Sequence, residues 1–153
     1  MAETAPTPGQ PLRLLADDQE DLAVISSVLQ DAVATIGDIS YEPSQRRLTL
    51  ALNRFRWEAA DGKGGQRVRT ALQFGDVLSV KQQRLRQDVK EGVLALLAIN
   101  FEPGEAPSGV IVLTFAGGGA LQAEVECIDA ILADLSAPWP TPRRPSHEES
   151  ESK

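Results

Sequence analysis

From Ile39 to Phe74 the hydrophobic residues of this chain recur mostly at every second position, and the segments that carry them are separated by short clusters of turn residues. A period of two marks a strand with one buried face. Parallel strands need crossovers of a dozen or more residues, so strands joined by short turns are restricted to antiparallel pairing.

The strands can be placed one by one. Ile39 and Tyr41 alternate with Asp38 and Ser40, and Glu42–Gln45 makes a turn. Leu48, Leu50 and Leu52 alternate with polar or small residues, but Phe55 and Trp57 break that parity. Placing both sets in the core requires a bulge near Asn53. Val68, Thr70, Leu72 and Phe74 share one face, Gly75-Asp76 is a turn, and Val77–Gln83 is a further strand. Val93–Phe101 and Gly109–Phe115 are continuous apolar runs, as in strands covered on both faces.

Gly117, Gly118 and Gly119 lie between one such run and a segment where Leu121, Ala123 and Val125 alternate with Gln122, Glu124 and Glu126. A dinucleotide loop would need a third glycine where Gln122 stands, and a phosphate loop would need Lys and Ser or Thr where Ala120 and Leu121 stand. The glycines therefore read as a hairpin turn.

Two helices are expected. Asp17-Asp18 supplies an N-cap, and apolar spacing from Leu22 to Val33 predicts an amphipathic helix over 19–34 with Gly37 after its end. Ile128, Ile131, Leu132 and Leu135 predict a terminal helix. With a short entry strand at Leu12–Leu15, the outline is an α+β fold: a largely antiparallel sheet or split barrel of about seven strands between an N-terminal and a C-terminal helix. Its layout is compatible with a pleckstrin-homology-like barrel.

Seven of the ten prolines lie at the two ends. Residues 1–11 and 140–153 read as disordered tails, the second proline-rich and acidic, around a single domain at 12–139. The chain length of 153 suits one domain with a core that needs no staples. A single cysteine, Cys127, allows no internal disulfide, and the first residues have neither the basic nor the apolar region of a signal peptide. A cytoplasmic protein with no membrane span is the expectation.

Chemistry is sparse. His147 is the only histidine and falls in the tail, so no triad and no zinc site can be assembled, and neither metal nor cofactor is expected. Cys127 sits beside Glu126 and Asp129, which disfavour a thiolate. The formal charge is −7, yet residues 46–90 carry eleven basic and four acidic residues, a segment of +7 in a remainder of −14. If the bulge near Asn53 forms, Arg54 and Arg56 point outward beside Arg67 and Arg69, and the four guanidiniums share one sheet face. Such a face suits an anionic partner, expected to be a protein. Internal neutralisation by acids of the first helix or by Glu124 and Glu126 is the competing reading. Nucleic acid is disfavoured by net acidity, and an exposed aromatic beside the arginines would be needed to favour it.

The segments LLADDQEDLAVISSVLQDAV, LNRFRWE and LLAINFEPGEAPSGVIVLTFAGGGALQAEVECI together resemble the alphaproteobacterial family known as domain of unknown function 2948, over roughly residues 12–144. The resemblance implies a bacterial, cytoplasmic, single-domain protein and assigns no catalytic residue. The functional expectation is a non-enzymatic binding module using Arg54, Arg56, Arg67 and Arg69. The alternative is a small enzyme or ligand carrier with Glu102 or Glu105 as acid or base beside the 102–109 loop.

Overall fold

The structure, a computed structural model, describes residues 11–57, 65–85 and 92–141. The tail at 1–10, the loop at 58–64 and the tail with His147 lie outside the described residues. Eleven strands and one α-helix appear in the order β1 (Arg13–Ala16), α1 (Gln19–Val28), β2 (Val33–Thr35), β3 (Ile39–Glu42), β4 (Arg47–Phe55), β5 (Gly65–Phe74), β6 (Val77–Gln83), β7 (Val93–Pro103), β8 (Gly109–Phe115), β9 (Ala120–Val125), β10 (Ala130–Asp134) and β11 (Trp139–Thr141). Short 3-10 turns follow β2 and β3.

All pairings are antiparallel and form one open sheet in the order β1-β10-β5-β4-β2-β7-β8-β9-β6, with β3 added to β4 and β11 to β5. β5 passes into β6 through only Gly75-Asp76, opposite the 126–129 connection between β9 and β10. Gly75 N–H donates to the Asp129 carbonyl at 2.8 Å and Glu126 N–H to the Asp76 carbonyl at 3.0 Å. Asp76 has φ 56°, so this two-stranded ribbon turns a corner without losing its pairing. The inner faces of both halves then bury one core, including Leu50, Leu72, Phe74, Leu96, Leu113, Phe115 and Leu132. Leu22 and Ile25 of α1 join it. Ser26 Oγ of the helix accepts the Ile99 N–H at 2.9 Å, satisfying β7 where β2 no longer runs beside it.

Several expectations change. The α+β split barrel of about seven strands with two helices is corrected to eleven strands in one open antiparallel sheet with a single α-helix among the described residues. The segment expected as a terminal helix is β10. Ala130 and Leu132 face the core while β1 and β5 flank the strand, and the spacing of Ile128, Ile131 and Leu132 suits a two-sided central strand as well as a helix. The first helix is shorter than expected. It begins as read, with Asp18 Oδ1 accepting the Asp21 N–H at 2.8 Å, but Asp31 at φ 65° ends it before Gly37. Ala32 and Val33 then turn to β2. The glycine turn is a hairpin between β8 and β9, with Gly117 and Gly118 at φ 92° and 98°.

Candidate functional site

The site follows from the parity of β4. Its register against β5 is uninterrupted from Leu48 opposite Phe74 to Phe55 opposite Arg67, so the bulge expected near Asn53 is absent. Alternation therefore continues through Leu48, Leu50 and Leu52 to Arg54, which faces inward opposite Val68. Arg67 and Arg69, opposite Phe55 and Asn53, lie on the other face. The four arginines do not form a shared face.

Arg54 has no exposed surface. Its Nε and Nη2 hold the two carboxylate oxygens of Asp134 in β10 at 3.0 and 2.9 Å, and Nη1 donates to the Phe55 carbonyl at 3.3 Å. Asp134 also accepts the Leu12 N–H at 2.7 Å, tying β1 to the pair. Fork-to-fork geometry is the strong form of this contact, and it is needed because both charges have left water.

Arg56 is the other inward arginine, 2% exposed. Its N–H donates to the Gln66 carbonyl at 2.7 Å and its guanidinium to Gln66 Oε1. It lines a cleft of about 300 Å³ with Pro11, Val68, Asp134, Leu135, Ser136, Ala137 and Pro138. The cleft exists because β10 and β11 both pair with β5 but out of step: Asp134 stands opposite Thr70 and Trp139 opposite Arg67. The 135–138 segment is looped out between them, held by Leu135 N–H to the Arg69 carbonyl at 2.7 Å and Arg69 N–H to Ser136 Oγ at 3.0 Å. Bulges of this kind re-aim side chains at sheet edges. Leu135 and Trp139 are left 61% and 38% exposed.

On the opposite face, Arg69 reaches Asp38 Oδ1 at 2.8 Å and Asn53 Oδ1 at 3.1 Å. Burial alone would raise the Asp38 pKa, but hydrogen bonds from Thr35 and Arg69 outweigh it and hold the carboxyl below its ordinary value. Half-buried Arg67 donates to the Asn53 carbonyl at 3.2 Å; burial lowers its pKa, opposed by the charge of Asp31. Among the described residues, the acids beside Arg54, Arg69 and Arg67 are thus Asp134, Asp38 and Asp31. Glu126 instead pairs with Arg46 at 3.0 Å, and Glu124 accepts from Ser79 at 3.1 Å.

The remaining candidates are quickly placed. Glu102 and Glu105 are exposed at the end of the β7–β8 hairpin. The Cys127 thiol lies between β9 and β10, and its Sγ donates to Asp76 Oδ2 at 3.4 Å. Burial, that bond and the charges of Asp76, Asp129 and Glu126 push its pKa up. Asp17, Asp18 and Asp21 gather at the start of α1, where Asp18 serves as the cap.

Sequence reasoning missed Asp134 and the 135–139 bulge. A signal was present for the first: a carboxylate inside the apolar run AILAD can be matched to an arginine that continues a leucine alternation. Nothing local announced the second, since it arises from the register of two strands against a third.

The fold and the cleft together define a class: an open antiparallel β-sheet protein with one α-helix among the described residues, a buried arginine–aspartate pair and an arginine-lined cleft at a strand bulge. Within that class the chain belongs to the family of proteins of unknown function DUF2948, whose model matches residues 12–147. No curated protein and no solved structure matches the chain. No described helix is long and apolar enough to cross a membrane.

Proposed function

We propose that the protein is a non-enzymatic interaction module that takes an acidic segment of a partner protein, anchored by an apolar side chain, in the cleft at the β10–β11 bulge. The observation that carries this reading is the lining of the cleft. Arg56 is brought there at 2% exposure among Pro11, Val68, Leu135 and Pro138. A guanidinium presents its N–H donors in a fixed fork whose geometry suits a carboxylate. Exposed Leu135 in the lining supplies apolar area, and Arg is among the residue types that dominate interface energetics. Of the four arginines, Arg56 is the one that lines this cleft.

Peptide display against the full chain tests the proposal. Selected peptides should combine Asp or Glu with an apolar anchor, and should lose at least tenfold in affinity for Arg56→Met and for Leu135→Ser variants whose thermal melts match the parent. Peptides without acids, or indifferent to both variants, would contradict it.

One observation favours a second reading. Trp139 is an exposed aromatic opposite Arg67, a pairing that suits stacking of single-stranded bases. The formal charge of −7 and the acids around Arg67 and Arg69 weigh against it. Salt-sensitive binding of an oligonucleotide that Trp139→Ala abolishes would support this reading over the first.

A further inference from the structure

The inner end of the cleft at the β10–β11 bulge is the buried ion pair. Asp134 lines it, with both carboxylate oxygens on Arg54 and with Oδ2 accepting the Leu12 N–H at 2.7 Å. Arg54 behind it has no exposed surface, so a chain entering from solvent meets a floor there and not a passage. Pro11, next to Leu12 in sequence, is a wall beside that floor. At about 300 Å³ the cleft is at the lower end of the range for ligand sites.

A segment threaded through this space would bring an N–H and a C=O with every residue, and each needs a partner once water is excluded. Among the described residues the cleft offers little for them. The β5 edge behind the bulge is already closed: the Arg69 carbonyl accepts the Leu135 N–H at 2.7 Å, and the Arg69 N–H donates to Ser136 Oγ at 3.0 Å. That hydroxyl in turn donates to the Ala137 carbonyl at 3.0 Å. Pro11 and Pro138 have no N–H to give. The side chains of Val68, Leu135 and Ala137 are apolar. Donor capacity is therefore concentrated on the Arg56 guanidinium, beside an apolar wall.

Such a site suits a ligand that places its charge next to an apolar group and carries little backbone. The last residue of a polypeptide does both, because its carboxylate and its side chain branch from one Cα and the chain leaves in a single direction. An internal Asp or Glu beside an apolar anchor must lead backbone in and out. We infer that the cleft takes the carboxyl terminus of a partner protein ending in an aliphatic residue, an inference that rests on the interaction-module reading above and narrows it. The terminal carboxylate lies on Arg56 and the aliphatic side chain against Val68, Leu135 and Pro138. Capture of a chain-terminal carboxylate is a recurring mode of peptide recognition. The Arg54–Asp134 pair is the end-stop: its two charges offset each other, and it leaves no room for a residue beyond the last.

Fluorescence anisotropy with the full chain is the experiment. The probes are fluorescein-labelled Gly/Ser hexapeptides ending in Leu, Ile or Val as free acids, the same peptides as terminal amides, the same peptides with one Gly added after the last residue, and an amidated peptide with Glu-Leu at its centre. At least one free acid should bind saturably, and amidation or the added Gly should weaken it at least tenfold. Arg56→Met and Leu135→Ser should each weaken it at least tenfold; if Arg56→Met melts early, Leu135→Ser at its exposed position decides. Amides or Gly-extended peptides that bind as well as the free acids overturn the inference. A central Glu-Leu peptide that binds as tightly overturns it too, and leaves the acidic-segment reading standing. Failure of every free acid to bind also overturns it, and a display selection that yields no acidic peptides then removes the reading beneath it as well.

Discussion

Replacing Asp134 by Ala should be among the most damaging single changes in the molecule. The carboxylate accepts three hydrogen bonds, from Arg54 Nε at 3.0 Å, Arg54 Nη2 at 2.9 Å and the Leu12 amide at 2.7 Å. Arg54 has no exposed surface and cannot lose its proton, so the substitution takes a two-pronged carboxylate away from a cation in the interior. Breaking a buried pair from one side destabilises by about 3–5 kcal/mol. For a domain of this size that lowers Tm by roughly 10–20 °C. Removing both charges, as Arg54→Met with Asp134→Leu, should recover most of the loss, because the attraction and the desolvation disappear together. The recovery stays incomplete by about 1 kcal/mol, since the Leu12 amide has lost its acceptor. Urea unfolding of the parent, both single variants and the double variant gives the coupling energy directly. A loss below about 1 kcal/mol for Asp134→Ala, or a double variant no more stable than the singles, would refute the view that this pair holds β1, β4 and β10 together.

Other outcomes follow from the same structure. Burial, then the bond to Asp76 and its charge, raise the Asp129 pKa, so the fold binds that proton more tightly than the unfolded chain. Stability should therefore fall as pH rises from the ordinary Asp value through the raised one, and Asp129→Asn should flatten that window in pH-dependent melts. Asp38 behaves oppositely: the stability it contributes is present above its ordinary pKa and is lost as pH falls through the depressed one, a loss Asp38→Asn should abolish. The Cys127 thiol should react with iodoacetamide near neutral pH more slowly than free cysteine, and faster in Asp76→Asn. Gly109→Ala should destabilise by about 1–3 kcal/mol in urea melts, because the added methyl would collide with the Phe101 ring and the Glu102 carbonyl oxygen.

The residues show why part of this was legible in sequence and part was not. Turn chemistry is local, so the β8–β9 hairpin, the Asp18 cap and the corner at Gly75-Asp76 could be read directly. The DUF2948 motifs were legible too, since the family's model matches residues 12–147. Errors arose where a distant partner decides the outcome. Reading Phe55 and Trp57 as core and the arginines as surface forces a bulge. The chain instead keeps its pleat and buries Arg54, because Asp134 waits eighty residues away. Phe55 is buried as well, on the other face, against Trp57 at 4.6 Å between ring centroids. The β10 segment reads as a helix because a short apolar run flanked on both sides has no distinctive period. The cleft could not be read at all, since it is a mismatch of register between β10 and β11 along β5.

Nitrogen-15 spectra of the arginine Nε–Hε groups, recorded while a display-selected acidic peptide is titrated into the full chain, address the proposed site most directly. The expected result is that the Arg54 proton is the slowest to exchange with water throughout, the Arg56 signal moves with saturation, and those of Arg67 and Arg69 stay in place. Movement of Arg67 and Arg69 with Arg56 unchanged, or an Arg54 proton exchanging as fast as that of exposed Arg46, would contradict it.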